Sequence, residues 1–149
     1  MRTHILFALA LLAACVPTKA EPPAPGTAKI QSIYWSDGDS GQIDGMKFRL
    51  ANIDAPETGG VGAAIGGAKC ELERERGFAA KEFVVEMTRD AELEITASYG
   101  PDRYDREVID LSANGVDVAR AGVEAGVLGD WPHRVRRALA AKPDWCADE

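Results

Sequence analysis

The residues able to do chemistry fall in a few short stretches: Asp37-Gly38-Asp39-Ser40, then Arg49-Leu50 and Ile53-Asp54-Ala55-Pro56-Glu57, and later Asp102-Arg103-Tyr104-Asp105-Arg106. Carboxylates from separate segments can converge on a hard cation, which needs several oxygen ligands but no continuous binding loop. A glutamate beside such a centre can orient or deprotonate a water. Arginine adds a planar guanidinium that donates parallel hydrogen bonds to a phosphate and stabilises charge gathering on its oxygens. Taken alone, Asp-Gly-Asp is an ordinary turn, in which Asp bonds local backbone and Gly supplies positive φ. His4 and His133 form no metal or nucleophile pattern, and His133 reads as a surface residue.

In this order the stretches resemble the staphylococcal-nuclease (thermonuclease) family. Its signature is an Asp-Gly-Asp-Thr turn, a strand ending in Arg-Leu, an Asp-x-Pro-Glu segment and an Asp-Arg/Lys-Tyr-Gly-Arg turn. The matching residues lie between Ala28 and about Leu128. The resemblance implies a calcium-dependent endonuclease that hydrolyses phosphodiester bonds of DNA and RNA, with family precedent for a 3′-phosphate product. It implies that Asp39 and Asp54 supply metal carboxylates and Ala55 a backbone carbonyl. Glu57 then acts on the attacking water, and Arg49 and Arg106 clamp the phosphate. Arg103 and Tyr104 match positions that flank bound nucleotide, although a tyrosine before a strand can equally be a packing residue. Asp37 either supports Asp39 and its turn from behind or contributes only a local backbone bond, and Ser40 supports the turn with its hydroxyl.

The chain departs from the family pattern at three of these positions. Ser40 replaces Thr but keeps the hydroxyl, and Ala55 replaces the Thr of some relatives where only the backbone carbonyl is needed. Asp105 stands where the family has Gly. Gly reaches backbone angles that Asp adopts less readily, and the added carboxylate could pair with Arg106 or repel phosphate. The expectation is modest activity that rises in Asp105→Gly; the alternative is a harmless surface substitution.

Positioning these residues requires strands and a helix. Ala28–Ile33, Ser40–Ile43 and Met46–Ala51 read as strands, with Asp44-Gly45 suited to a type I′ hairpin. Within the third, Met46, Phe48 and Leu50 share one face and Lys47, Arg49 and Ala51 the other. Thr58–Lys69 is rich in Gly and Ala and reads as a mobile loop. Glu71–Thr88 is the clearest helix, with Leu72, Ala79, Ala80, Phe83, Val84 and Met87 at helical spacing. Leu93–Ser98 and Glu107–Ala113 are further strands, and Val116–Ala125 and Pro132–Ala141 are short helix candidates. The order predicts an α+β, mainly β domain, and the resemblance implies a five-stranded OB-type Greek-key barrel with about three helices.

The N-terminus reads as an export signal over residues 1–14: a basic start followed by an apolar run from Ile5 to Ala14, too short to span a bilayer. Leu12-Ala13-Ala14-Cys15 resembles a lipobox, which implies that Cys15 is lipidated and attaches the protein to a membrane. The alternative is secretion after cleavage at Ala20. Residues 15–27 form a Pro-rich tether and residues 28–149 the domain, expected to be a monomer with no protein partner, in the cell envelope facing the periplasm. Cys70 and Cys146 then remain as a pair in an oxidising compartment. The net charge of −7 opposes strong non-specific attraction to nucleic acid. Two other readings follow: a non-catalytic OB-fold module that binds oligonucleotide or another anion, and a structural envelope lipoprotein.

Overall fold

A computed structural model describes residues 29–134 and 137–147. The leader with Cys15 and the tether lie outside the described residues. The domain is α+β and mostly strands. A meander of β1 (Ile33–Trp35), β2 (Ser40–Ile43) and β3 (Met46–Leu50) opens it. Asp44 and Gly45 connect β2 to β3 with φ of 48° and 83°, the positive pair a type I′ turn demands. The Asp44 carboxylate accepts the Gln31 and Ser32 N–H groups and ties the chain entering β1 to this hairpin.

The remaining strands of the main sheet are β5 (Leu93–Pro101) and β6 (Glu107–Ala113), giving the order β1-β2-β3-β6-β5 with a short edge strand β7 (Val116–Asp117) on β6. All pairings are antiparallel except β3 with β6, where Arg49 faces Val108. Among the described residues no ladder joins β5 to β1, so the sheet is not closed into a barrel. A second small sheet pairs β4 (Ile53–Asp54) with β8 (Gly129–Asp130) and places Asp54 opposite Gly129.

The helix α1 (Glu71–Thr88) has the expected bounds, with the Cys70 sulfur accepting from the Glu73 N–H at its start. Its buried stripe differs from the expected one. Glu73, Gly77, Ala80, Val84 and Thr88 face inward, while Ala79 is exposed and Leu72, Phe83 and Met87 are only partly covered. The cause is close approach: a Cβ on Gly77 would collide with the Pro56 and Glu57 carbonyls, so the helix lies directly on the segment that carries Asp54 and Glu57. Phe48, Leu50, Val84, Ile109, Leu111 and Val118 fill the space between helix and sheet, each such side chain contributing about 1.5–3 kcal/mol.

A helix over Val116–Ala125 is shortened to α2 (Val118–Glu124), because the Asp117 side chain caps the Arg120 N–H and the residues before it pair with β6. The helix expected over Pro132–Ala141 does not form. His133–Arg134 (β9) and Arg137–Ala138 (β10) make a two-stranded hairpin instead. Asn52 takes the backbone of this segment: its carbonyl accepts from Trp131 and its side chain from His133. Helix propensity gives way to these contacts, so two helices are present among the described residues. Thr58–Lys69 folds back on itself, with Gly59 bridged to Gly67 and Ala68 buried. Cys70 and Cys146 form the expected disulfide across 76 residues, a closure worth about 4 kcal/mol.

Candidate functional site

The site begins at the turn between β1 and β2. The Asp37 carboxylate accepts from the N–H groups of Asp39 and Ser40 and from the Ser40 hydroxyl, so the local-turn role is the one its contacts show. Gly38 is needed for packing rather than for φ: a Cβ there would come within 2.8 Å of the Ala80 Cβ and 3.0 Å of the Ala55 Cβ. The turn is therefore pressed between α1 and the segment after β4. The Asp39 carbonyl accepts from the Leu50 N–H at 2.8 Å, which sets Asp39 beside the end of β3.

Arg49 leaves β3 on the face away from Phe48 and Leu50 and joins the carboxylates. One guanidinium nitrogen lies 2.9 Å from Asp39 Oδ2; the other lies 3.6 Å from Asp54 Oδ1 and donates to the Ile53 carbonyl at 3.1 Å. Its plane sits 5.7 Å from the Trp131 ring centre. The Ala55 N–H also donates to Asp39 Oδ2, at 3.2 Å. Asp39 and Asp54 are 4% and 1% exposed, so both carboxylates are withdrawn from solvent. Burial pushes Asp39 up to about 8, with Asp37 and Asp54 adding to the rise and Arg49 opposing it. Glu57 is half-buried and is also raised, first by burial and then by Asp37, against the opposing charge of Lys142.

No protein-family model matches the chain, and no curated protein matches it.

The C-terminal segment supplies residues that the motifs did not indicate. The Lys142 ammonium lies 3.2 Å from Asp54 Oδ1, and the Trp145 indole N–H donates to Asp54 Oδ2 at 2.9 Å. Arg76 of α1 holds the same segment by donating to the carbonyls of Trp145 and Ala147. One signal was present in the sequence: a Cys70–Cys146 bond brings the neighbouring Trp145 back to the start of α1.

Arg106 lies in a different setting. Its Nε and one Nη donate to Asp102 Oδ2 at 2.9 and 2.7 Å, and its N–H joins that of Tyr104 on Asp102 Oδ1. Burial acts to raise Asp102, but the hydrogen bonds from Arg106 and Tyr104 outweigh it and hold the carboxyl below its ordinary value. Arg103 and Arg106 flank the exposed Tyr104 ring, with centroid distances of 4.6 and 5.3 Å. Pairing between Asp105 and Arg106 is not what forms: Asp102 holds the guanidinium. Asp105 takes φ 59° and is exposed, so the turn keeps a conformation that Gly would favour instead of being rerouted. The structure thus joins Asp37, Asp39, Ser40, Arg49, Asp54 and Ala55 in one network, with Glu57 electrostatically coupled to it, while Arg103, Tyr104 and Arg106 form their own turn.

Among the described residues no group of three or more His, Cys, Asp or Glu side chains is arranged to hold a metal by itself. The donor chemistry still fits a hard cation. Two buried carboxylates from separate segments, Asp39 and Asp54, converge on the Arg49 guanidinium. Asp54 already attracts an ammonium from Lys142. Hard cations take such carboxylates together with backbone carbonyls and water.

Proposed function

We propose that the domain is a calcium-dependent endonuclease of the staphylococcal-nuclease type, acting on phosphodiester bonds of DNA and RNA. The observation that carries this reading is Arg49 bridging Asp39 and Asp54, contributed by separate segments, with Glu57 three residues beyond Asp54. A three-strand meander joined in parallel to an antiparallel pair is consistent with a partly open five-stranded OB-type Greek-key barrel.

In this reading Asp39, Asp54 and the Ala55 carbonyl hold calcium, which supplies Lewis-acid stabilisation of the phosphoryl oxygens when bound. Glu57 orients the attacking water or takes its proton, and its raised pKa brings it nearer the range useful to a general base. Arg49 and Arg106 neutralise charge on the phosphate, which requires each guanidinium to exchange a carboxylate partner for substrate. Arg103 and Tyr104 offer a cation and an exposed ring to a neighbouring nucleotide. Ser40 and Asp37 hold the turn that carries Asp39. Lipidated Cys15 attaches a monomeric domain to the membrane, facing the periplasm.

Digestion of plasmid DNA and of RNA with calcium, magnesium or chelator tests the reading. Calcium should support cleavage by the natural protein, chelator should abolish it, and Glu57→Ala should lower the rate by about 10²–10⁴-fold. Cleavage that survives chelation or is unaffected by Glu57→Ala rejects the assignment. A non-catalytic OB module is favoured by one observation, the net charge of −7; oligonucleotide binding with no turnover in any metal would select it.

A further inference from the structure

Both carboxylates of the proposed cation site are almost inaccessible. Asp54 is 1% exposed, and groups from the C-terminal segment lie at both of its oxygens, Lys142 at Oδ1 and Trp145 at Oδ2. Neither a metal nor a phosphate can reach it without displacing something. The backbone of Arg49 belongs to a central strand and that of Ile53 to a core segment, so neither backbone moves cheaply. The segment from Lys142 to Ala147 is different, having neither helix nor strand. What holds it is the bond from Cys146 to Cys70, the Arg76 hydrogen bonds to two of its carbonyls, and packing on β8. That packing is close: a Cβ on Gly129 would lie 2.6 Å from Pro143 and 3.1 Å from Trp145, and Gly129 is the register partner of Asp54.

We infer that Lys142–Ala147 is a disulfide-held strap that closes the site, its Lys142 ammonium standing where a divalent cation would meet Asp54. The inference deepens the metal-dependent reading and rests on it for the identity of the competing ion. The disulfide keeps Lys142 and Trp145 tethered a few residues away, so they face Asp54 at an effective concentration in the mM range. Calcium must compete with that tethered cation. A dithiol releases the strap: one thiolate attacks a sulfur of the Cys70–Cys146 bond to give a mixed disulfide, and the second resolves it. Two protein thiols and the oxidised cyclic reductant result, two electrons and two protons having passed to the protein. Net charge at the site is unchanged by this step at neutral pH, which separates release of the strap from simple removal of a positive charge.

Calcium affinity measured by calorimetry on the whole domain tests the inference, with the natural oxidised protein, the same protein in dithiothreitol, Lys142→Met and Gly129→Ala. Lys142→Met should bind calcium about tenfold more tightly, and reduction and Gly129→Ala each several-fold more tightly. Exchange of the indole N–H protons, followed by NMR without metal, supplies a readout independent of calcium. Trp145, assigned through Trp145→Phe, should exchange faster on reduction, while Trp35, whose N–H donates to buried Thr88 at 3.0 Å, stays protected and reports that the domain is intact. If Lys142→Met tightens binding but reduction and Gly129→Ala do not, the effect is charge alone and the strap is overturned. Unchanged Trp145 exchange on reduction also overturns it. If no form binds calcium while Trp145 exchange still accelerates, the calcium reading fails and the strap stands.

Discussion

Arg49 and Arg106 are both arginines at strand ends, yet they are held in opposite ways. Arg49 bridges carboxylates that reach it from two other segments, and those carboxylates are buried. Arg106 is held by a single carboxylate four residues earlier, within one solvent-facing turn. The first arrangement exists only when the whole domain is assembled; the second forms with its own hairpin. A charge that compensates buried groups is part of the fold, whereas a charge paired locally at the surface can change partners at small cost.

The largest expected effect follows from that contrast. Arg49→Met removes the main charge opposing the rise of Asp39 and leaves Asp54 to Lys142 and Trp145. Breaking a buried pair costs about 3–5 kcal/mol, and because Asp39 already holds its proton below about pH 8 the loss at neutral pH should be about 3 kcal/mol. Arg106→Met should cost only about 1 kcal/mol. Urea denaturation of both variants at the same pH measures the ratio, and equal losses would remove the distinction between the two regions.

The same regions should respond to pH in opposite directions. Burial raises Asp39 to about 8 in the folded state against 3.8 for an unperturbed aspartate, so the folded state binds the extra proton between those limits. The stability Asp39 contributes is complete below the lower limit and is lost as pH rises through about 8. Asp102 is lowered on folding, so its contribution is present above the ordinary carboxylate range and is lost in acid. Urea midpoints of metal-free protein from pH 5 to 9 should fall with rising pH, and Asp39→Asn should flatten that slope. An unchanged slope in Asp39→Asn would sink the assignment. Asp102→Asn should cost about 1 kcal/mol at neutral pH and less in acid, as pH falls through the lowered folded pKa and the carboxyl takes up its proton.

Local rules read the fold well where local rules decide it. Asp44-Gly45 specifies its turn, β3 keeps Arg49 opposite Phe48 and Leu50, and the spacing of α1 marks both its ends. The misreadings are places where a distant partner wins. Asn52 draws residues after Trp131 into a hairpin despite a helix-favouring composition, and the backbone beneath Gly77 turns α1 away from its most apolar stripe. In the site, motif order indicated Asp39, Arg49 and Asp54, which the fold brings together. Lys142 and Trp145 lie outside those motifs, and the sequence marks them only through the place of Trp145 beside Cys146, whose disulfide lays the segment near α1.

The smallest effect concerns Asp105, and it sharpens the comparison by asking whether anything beyond Asp102 acts on Arg106. Asp105 occupies the left-handed region at φ 59°, where a Cβ costs roughly 1–2 kcal/mol but Asp is among the residues that enter it. Gly removes that cost and adds freedom to the unfolded chain, which offsets about 0.5–1 kcal/mol. The net change in Asp105→Gly should therefore be a stabilisation of about 0.5 kcal/mol, read as a small rise in the urea midpoint. Its effect on catalysis should be smaller than the resemblance alone implies. The backbone already has a glycine-compatible conformation, Asp102 fixes the guanidinium, and the Asp105 side chain is exposed and screened by salt. Initial cleavage rates on single-stranded and duplex DNA should stay within about twofold of the natural protein at low and high salt. A several-fold rise at low salt that vanishes at high salt would instead show that the Asp105 charge reaches the phosphate, and the turn would then be coupled to the site through more than Asp102.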